Sequence, residues 1–312
     1  MKLSKLLNAV RIKTDIDEAD ITYVVFDSRN VKPGCMFVCI KGSASDGHKY
    51  VSDAVNKGAC VIVAEEEIKA DAPVFVVEDT KKALALLSAE FFMRPYNDIK
   101  VIGLTGTKGK TTTAHMIASI MESAGYKTGI IGTIGVKIGD REIKINNTTP
   151  SSYEVQKYLR EMADNGCKYC VMEVSSIGLR DFRVYGFVLE AGVFTNFSED
   201  HIGGVEHKDM QESLESQAML FRMCKTGVIN IDDPSWNDIT KDHTCTIKTY
   251  GLSEKAQIYA RNYRLISRGS TLGIAFNVRG KLDFTAEVAA PGEFNTYNAL
   301  AAIACCKLFG IS

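Results

Sequence analysis

The stretch Val101-Ile102-Gly103-Leu104-Thr105-Gly106-Thr107-Lys108-Gly109-Lys110-Thr111-Thr112-Thr113 constrains the fold more than any other part of the chain. An apolar run enters a glycine-rich turn, and a helical stretch from His115 to Ala124 follows. Strand, glycine turn and helix in that order make a phosphate cradle. The glycines let backbone N–H groups close on an anion, Lys110 can reach β- and γ-oxygens, and the Thr111 hydroxyl suits Mg²⁺. The positive end of the helix faces the same anion. Five residues, not four, separate Gly103 from Gly109, so the strict G-x4-GK[ST] spacing fails; the local form is Thr-Gly-Thr-x-Gly-Lys-Thr-Thr. The plainer alternative, a glycine-rich surface turn, does not explain the strand before it and the helix after it. An ATP site is therefore expected at Gly106, Thr107, Gly109, Lys110, Thr111 and Thr112, with Thr111 on the metal side.

Alternation of strands and helices sets the fold class. A polar break at Arg94-Pro95-Tyr96-Asn97-Asp98 divides the chain into expected domains 1–97 and 98–312. Before the break, β-type runs at 22–26, 36–40, 60–64 and 74–77 accompany helical stretches at 51–57 and 80–93. After it, strands at 99–104, 128–131, 169–174, 191–195 and 227–231 alternate with helices at 110–124, 152–165 and 208–222. Such alternation predicts an α/β protein with mostly parallel sheets covered on both faces. From Ala256 to Glu287 adjacent β-runs with turns at 267–269 and 279–281 predict an appended antiparallel segment, and a last helix runs from Thr296 to Leu308.

The 312 residues are 46% hydrophobic and 24% charged, with a net charge of −1, so no basic excess points to nucleic acid. No apolar window approaches a membrane span, and the expected setting is a monomer in the cytoplasm with no nucleic-acid or membrane partner. Nine scattered cysteines read as reduced core thiols. Cys167 and Cys170 have knuckle spacing, but no second such pair exists and Cys170 opens an apolar strand.

Four further clusters stand at or just beyond strand ends, where a parallel-sheet ATPase places its chemistry. Glu173 ends the apolar run Val171-Met172-Glu173. An acid there needs a partner or a metal; the plain alternative is a capping or salt-bridged carboxylate. Thr195-Asn196-Phe197-Ser198-Glu199-Asp200-His201 ends another strand, and His201 is a candidate metal or phosphate ligand against the ordinary structural histidine. Asn146-Asn147-Thr148-Thr149-Pro150-Ser151 is a hydroxyl-rich turn that also suits an N-cap. In Pro291-Gly292-Glu293-Phe294-Asn295-Thr296-Tyr297-Asn298 two amides stand one helical turn apart, able to meet a base edge or to cap a helix.

In this order the motifs Thr-Gly-Thr-x-Gly-Lys-Thr-Thr, Asn-Thr-Thr-Pro-Ser, Met-Glu-Val-Ser-Ser, Thr-Asn-x-Ser-x-Asp-His and Pro-Gly-x-Phe-Asn-x-Tyr-Asn resemble those of the Mur ligase family of peptidoglycan synthesis. Asp27-Ser28-Arg29-x-Val31-x-Pro33-Gly34, followed by Lys41-Gly42 and Gly47-His48, is similar to the UDP-binding domain of its MurE type. The resemblance implies a small UDP-binding domain before a P-loop ATPase domain. It also implies ATP- and Mg²⁺-dependent amide-bond synthesis through an acyl phosphate, adding diaminopimelate or L-lysine to UDP-MurNAc-L-Ala-D-Glu. Carried over by motif, Lys110, Glu173 and His201 are catalytic; Thr111, Glu173 and His201 are on the metal; and Asn295 and Asn298 lie by the adenine. Asp27, Ser28, Arg29, Gly47, His48, Asn147, Thr148, Thr149, Ser175, Ser176 and Arg183 line the path of the UDP-sugar substrate.

Three departures from the family pattern stand out. Gln217 occupies the place of a lysine that is carbamylated to hold a second Mg²⁺, and a neutral amide is a poorer ligand for a hard dication. Ile177 replaces a His or Gln, and the family's third domain is expected to begin after Ser312. Two alternatives follow: an impaired paralogue that binds nucleotide without ligating, and a folylpolyglutamate-synthetase-like ligase, against which the segment Asp27 to His48 discriminates.

Overall fold

The computed structural model describes residues 1–14, 19–42, 45–199, 207–269 and 271–311. They form two compact units. The first gathers Met1–Pro95 with Pro150–Arg160 and Asp181–Gly186; the second holds Tyr96–Thr149, Glu161–Arg180 and the chain from Phe187 onward. The polar break near Pro95 is where the first long stretch ends, but the two later segments that return to it carry no compositional mark.

In the first unit the elements run α1 (Leu3–Ala9), β1 (Val24–Val25), β2 (Cys35–Val38), α2 (Val51–Asn56), β3 (Ala59–Ala64), β4 (Val74–Val76) and α3 (Thr80–Phe91). The four strands pair in parallel in that order. Side chains alternate across β2, so Met36 and Val38 meet Leu3, Leu7 and Leu84 from α1 and α3, while Cys35 and Phe37 meet Val51 and Ala54 from α2. Burial on both faces is why these strands read as unbroken apolar runs. Asp79 starts α3 by accepting a hydrogen bond from the Lys82 N–H at 2.9 Å.

The second unit is built on β5 (Lys100–Thr105), α4 (Lys110–Ser123), β6 (Thr128–Gly132), β7 (Gly135–Ile138), β8 (Arg141–Ile143), the end of α5 (Ser152–Asp164, of which the residues up to Arg160 belong to the first unit), β9 (Tyr169–Glu173), α6 (Ser176–Arg180) and β10 (Leu189–Phe194). It continues through α7 (Met210–Ala218), β11 (Cys224–Asn230), α8 (Trp236–Ile239), β12 (Thr246–Gly251), β13 (Ile258–Arg268), β14 (Thr271–Gly280), β15 (Phe284–Val288) and α9 (Phe294–Lys307). Its sheet has the order β15-β14-β13-β12-β11-β10-β5-β9-β6-β7-β8. The strands from β13 to β6 are parallel, with an antiparallel hairpin extension at each edge. On one face Ile117 and Met121 of α4 and Leu300 and Cys305 of α9 close over Ile102, Leu104, Val193 and Val228.

β5 lies between β9 and β10, and the chain leaves it toward β6 on one side before returning to β10 and β11 on the other. That reversal opens a crevice at the carboxyl ends of these strands, the usual ligand position in an open α/β sheet. The antiparallel segment expected between Ala256 and Glu287 is β13 to β15. The hairpin β7–β8 and the strand β12 were not anticipated, because Lys137, Arg141, Glu142 and Lys248 interrupt their apolar pattern. All nine cysteines are unpaired, eight of them buried, and burial pushes the Cys170 thiol upward. Among the described residues no helix is long and apolar enough to cross a membrane.

Candidate functional site

The turn after β5 takes its shape from two glycines. Gly106 has φ 132° and Gly109 φ 85°, and a Cβ on Gly109 would run into the Asn298 side-chain oxygen. Such backbone is costly for any other residue. The residues leaving β10 clamp the turn from the side. Asn196 accepts the Lys108 N–H at 2.9 Å and donates to the Lys108 carbonyl at 2.9 Å, and the Thr195 hydroxyl donates to that carbonyl at 2.7 Å. The Thr107 N–H donates to the Asn196 carbonyl at 2.8 Å, and its hydroxyl exchanges hydrogen bonds with Ser198. The Lys110 ammonium donates to the carbonyls of Gly106 and Thr107, at 2.5 and 3.0 Å, which holds the charge over the turn.

Glu173 ends β9, next to β5, and is 2% exposed. Its carboxylate accepts from the Thr111 hydroxyl at 2.9 Å, the Thr133 N–H at 3.0 Å and the Thr133 hydroxyl at 3.1 Å. All three donors are neutral, and among the described residues no lysine, arginine or histidine forms an ion pair with it. A buried carboxylate without a counter-charge among the described residues, beside a hydroxyl on the first turn of α4, is a hard-oxygen donor set suited to Mg²⁺. Among the described residues no group of three metal-type side chains is present, and His201 lies outside those residues.

A cleft of about 590 Å³ extends from Lys108, Gly109 and Thr112 past Asn230, Asp232, Asp233 and Pro234 to Tyr250, Phe294, Tyr297 and Asn298. Asn295 and Asn298 are buried and bonded to one another at 3.1 Å, and Asn295 also donates to the Pro291 carbonyl at 2.9 Å. Asn298 lines the cleft; Asn295 braces it from behind. Asp233 accepts the N–H groups of Phe197 and Ser235 at 2.8 and 2.9 Å, tying the end of β11 to the exit of β10. The Tyr297 hydroxyl is pushed up to about 12 by burial and by the neighbouring Asp232 carboxylate. The motifs passed over Asp232, Asp233 and Tyr250, and named Tyr297 without giving it a role. An acid pair before a proline, directly after an apolar strand, was the available signal.

The remaining predicted residues fall into separate groups. Thr149 donates to the Glu173 carbonyl at 3.0 Å and accepts the Ser175 N–H at 2.9 Å, and the Ser175 hydroxyl caps α6 at Gly178. Thr148 reaches Thr133, Ser176 bonds the buried His207 ring at 2.8 Å, and Asn147 is exposed. In the first unit Asp27, Ser28, Arg29 and Gly47 line a pocket of about 630 Å³ with Phe26, Phe37 and Tyr50. The Arg29 side chain grips Asp27 and, with the Arg29 N–H, holds that carboxyl below its usual range. His48 is outside the pocket lining: its Nε2 accepts the Glu65 N–H at 3.0 Å, so its Nδ1 donates to Asp46 at 2.6 Å. Arg183 belongs to the first unit, where it pairs with Asp181, which also takes Lys81 at 2.8 Å.

Comparison with known proteins adds to this geometry. Residues 104–306 match the Mur ligase middle domain, and residues 20–92 match the Mur ligase family, catalytic domain. The chain belongs to the Mur ligase family. A similar Mur ligase is UDP-N-acetylmuramoyl-L-alanyl-D-glutamate--2,6-diaminopimelate ligase 1 of Clostridium acetobutylicum, 41% identical over all of this chain and 64% of that protein. The Clostridium botulinum ligase of the corresponding name is 40% identical over 95% of this chain and 61% of its own length. Among solved structures, one titled as a UDP-N-acetylmuramoyl-L-alanyl-D-glutamate--2,6-diaminopimelate ligase superposes with a TM-score of 0.88 at 25% identity, over 100% of this chain and 65% of that one. The chain thus spans somewhat under two thirds of the length of these Mur ligases.

Proposed function

We propose that this chain carries the UDP-sugar-binding and ATP-binding parts of a ligase that joins an amine, diaminopimelate in the relatives named above, to UDP-MurNAc-L-Ala-D-Glu. The observation that carries the reading is the contact between the Thr111 hydroxyl and the buried, cation-free Glu173 carboxylate, beside a lysine-bearing glycine turn. In this reading the turn from Gly106 to Thr112 and the start of α4 hold the ATP phosphates through backbone N–H groups. Asn298, with Asn295 behind it, lies on the adenosine side. Thr111 and Glu173 would hold Mg²⁺, which when bound neutralises phosphate charge during transfer. Lys110 moves from the loop carbonyls to the β- and γ-oxygens.

The chemistry has two displacements. A carboxylate oxygen of the D-glutamyl group attacks the γ-phosphorus and ADP leaves; the amine nitrogen then attacks the acyl carbon, phosphate leaves, and the nitrogen gives up a proton that the departing phosphate can carry. Positioning and charge stabilisation supply most of the catalysis in such transfers. Thr148, Ser175 and Ser176 present hydroxyls near the Glu173 strand for the substrate's polar groups, with Asn147 beside them and the buried Thr149 bracing the strand end behind. Asp27, Ser28, Arg29 and Gly47 bind the uridine end, with His48 bracing the Asp46 turn behind them and Arg183 serving the sugar-phosphate path.

Losing a charged hydrogen bond costs about 1.5–3 kcal/mol, so Lys110→Ala is expected to weaken ATP binding tenfold or more in calorimetric titration. Unchanged affinity would remove the turn as the phosphate site.

A further inference from the structure

Thr133, the residue directly after β6, grips both oxygens of the Glu173 carboxylate. Its N–H donates to Oε1 at 3.0 Å and its hydroxyl to Oε2 at 3.1 Å, while Thr111 donates to Oε2 at 2.9 Å. Gly132 makes the approach possible, since a Cβ there would overlap the carboxylate. The Thr133 hydroxyl also lies 3.1 Å from that of Thr148. Because the Thr133 proton is committed to Glu173, Thr148 is the donor in that pair. The result is a chain of hydroxyls from the turn at Thr148 through Thr133 and Glu173 to the phosphate helix at Thr111.

The terminal torsion of a glutamate is broad and nearly two-fold, so each donor removed from the carboxylate widens the range over which it swings. Three of its roughly four acceptor positions are filled here, and Thr133 fills two of them. One position stays open to a cation. We propose that Thr133 is a positioning residue of the nucleotide site: it fixes the Glu173 carboxylate in the orientation in which that carboxylate and the Thr111 hydroxyl share one divalent cation. This rests on the assignment of Thr111 and Glu173 to the Mg²⁺ side of an ATP site.

The test is ATP titrated into the full 312-residue chain, once in Mg²⁺ and once in EDTA, for the native protein, Thr133→Val and Thr133→Ser. Valine keeps the shape and the backbone N–H and removes only the hydroxyl. Thr133→Val is expected to lose about tenfold in affinity in Mg²⁺ and nothing in EDTA, as for one hydrogen bond to a charged group, while Thr133→Ser keeps native values. A Thr133→Val protein with native affinity in Mg²⁺ overturns the proposal. So does equal weakening in Mg²⁺ and EDTA, which marks a merely structural role. If the native protein binds ATP equally in both solutions, the metal-side assignment of Thr111 and Glu173 fails instead, and Thr133 has no cation to serve.

Discussion

Gln217 is 4% exposed on α7, and its side-chain carbonyl has no hydrogen-bond partner among the described residues. A lysine in its place would put an ammonium in a site that disfavours charge, so its pKa would fall and a neutral amine would be available to combine with CO₂. Gln217→Lys is therefore expected to melt about 4–8 °C lower in CO₂-depleted buffer, for a cost near 2 kcal/mol in a unit of this size. Bicarbonate with Mg²⁺ should restore the melting temperature, while the native protein ignores bicarbonate. A variant indifferent to bicarbonate would show that the site does not support a carbamate. At this scale the sequence was legible where chemistry and local pattern coincide: Lys110 and Thr111 open α4 at the carboxyl end of β5, and Thr111 meets Glu173 at the end of the neighbouring β9. Thr133 and Asp233 were opaque, because a threonine after a strand and an acid in a turn are common, and only the fold reveals what their side chains touch.

At the scale of elements, the glycine-rich turn is a joint between two strand ends. β5 supplies the turn and β10 the residues that brace it, with Asn196 bonded to both the N–H and the carbonyl of Lys108. Asn196→Ala leaves the backbone bond from Thr107 in place and removes both side-chain bonds. Net losses of about 0.5–1.5 kcal/mol per bond, about 1–3 kcal/mol for the two, predict an ATP affinity weaker by about five- to 150-fold with little change in melting temperature. A large melting shift with unchanged affinity would make Asn196 a stability residue and nothing more. The strands and helices of this joint were readable because each is strongly apolar on its buried side. The β7–β8 hairpin at the sheet edge and the partly exposed β12 inside it were not, since partly exposed strands with charged residues in them carry too little periodicity to stand out from loop.

For the whole molecule, two units with separate sheets and cores lead to the prediction that ligands bind to them separately. Ser28→Ala in the full chain is expected to weaken UDP binding at the first unit's pocket and leave ATP affinity unchanged, and Lys110→Ala to do the reverse, both by calorimetry. The first unit is not contiguous in sequence, which limits how it can be isolated. Tyr153, from the segment Pro150–Arg160, packs on the core formed by Leu6, Leu84 and Leu87, and its ring meets Phe92 edge-on at 5.1 Å. Asp181, from the segment Asp181–Gly186, takes Lys81 of α3 at 2.8 Å. A fragment of residues 1–97 lacks both. Uncovering aromatic core surface costs about 25 cal/mol per Å², so the fragment should be less stable than the same unit in the full chain by a few kcal/mol. Hydrogen exchange compares them directly: amides of β2 and β3 should exchange faster in the fragment than in the full chain. Equal protection would show that residues 1–97 hold their fold without the returning segments.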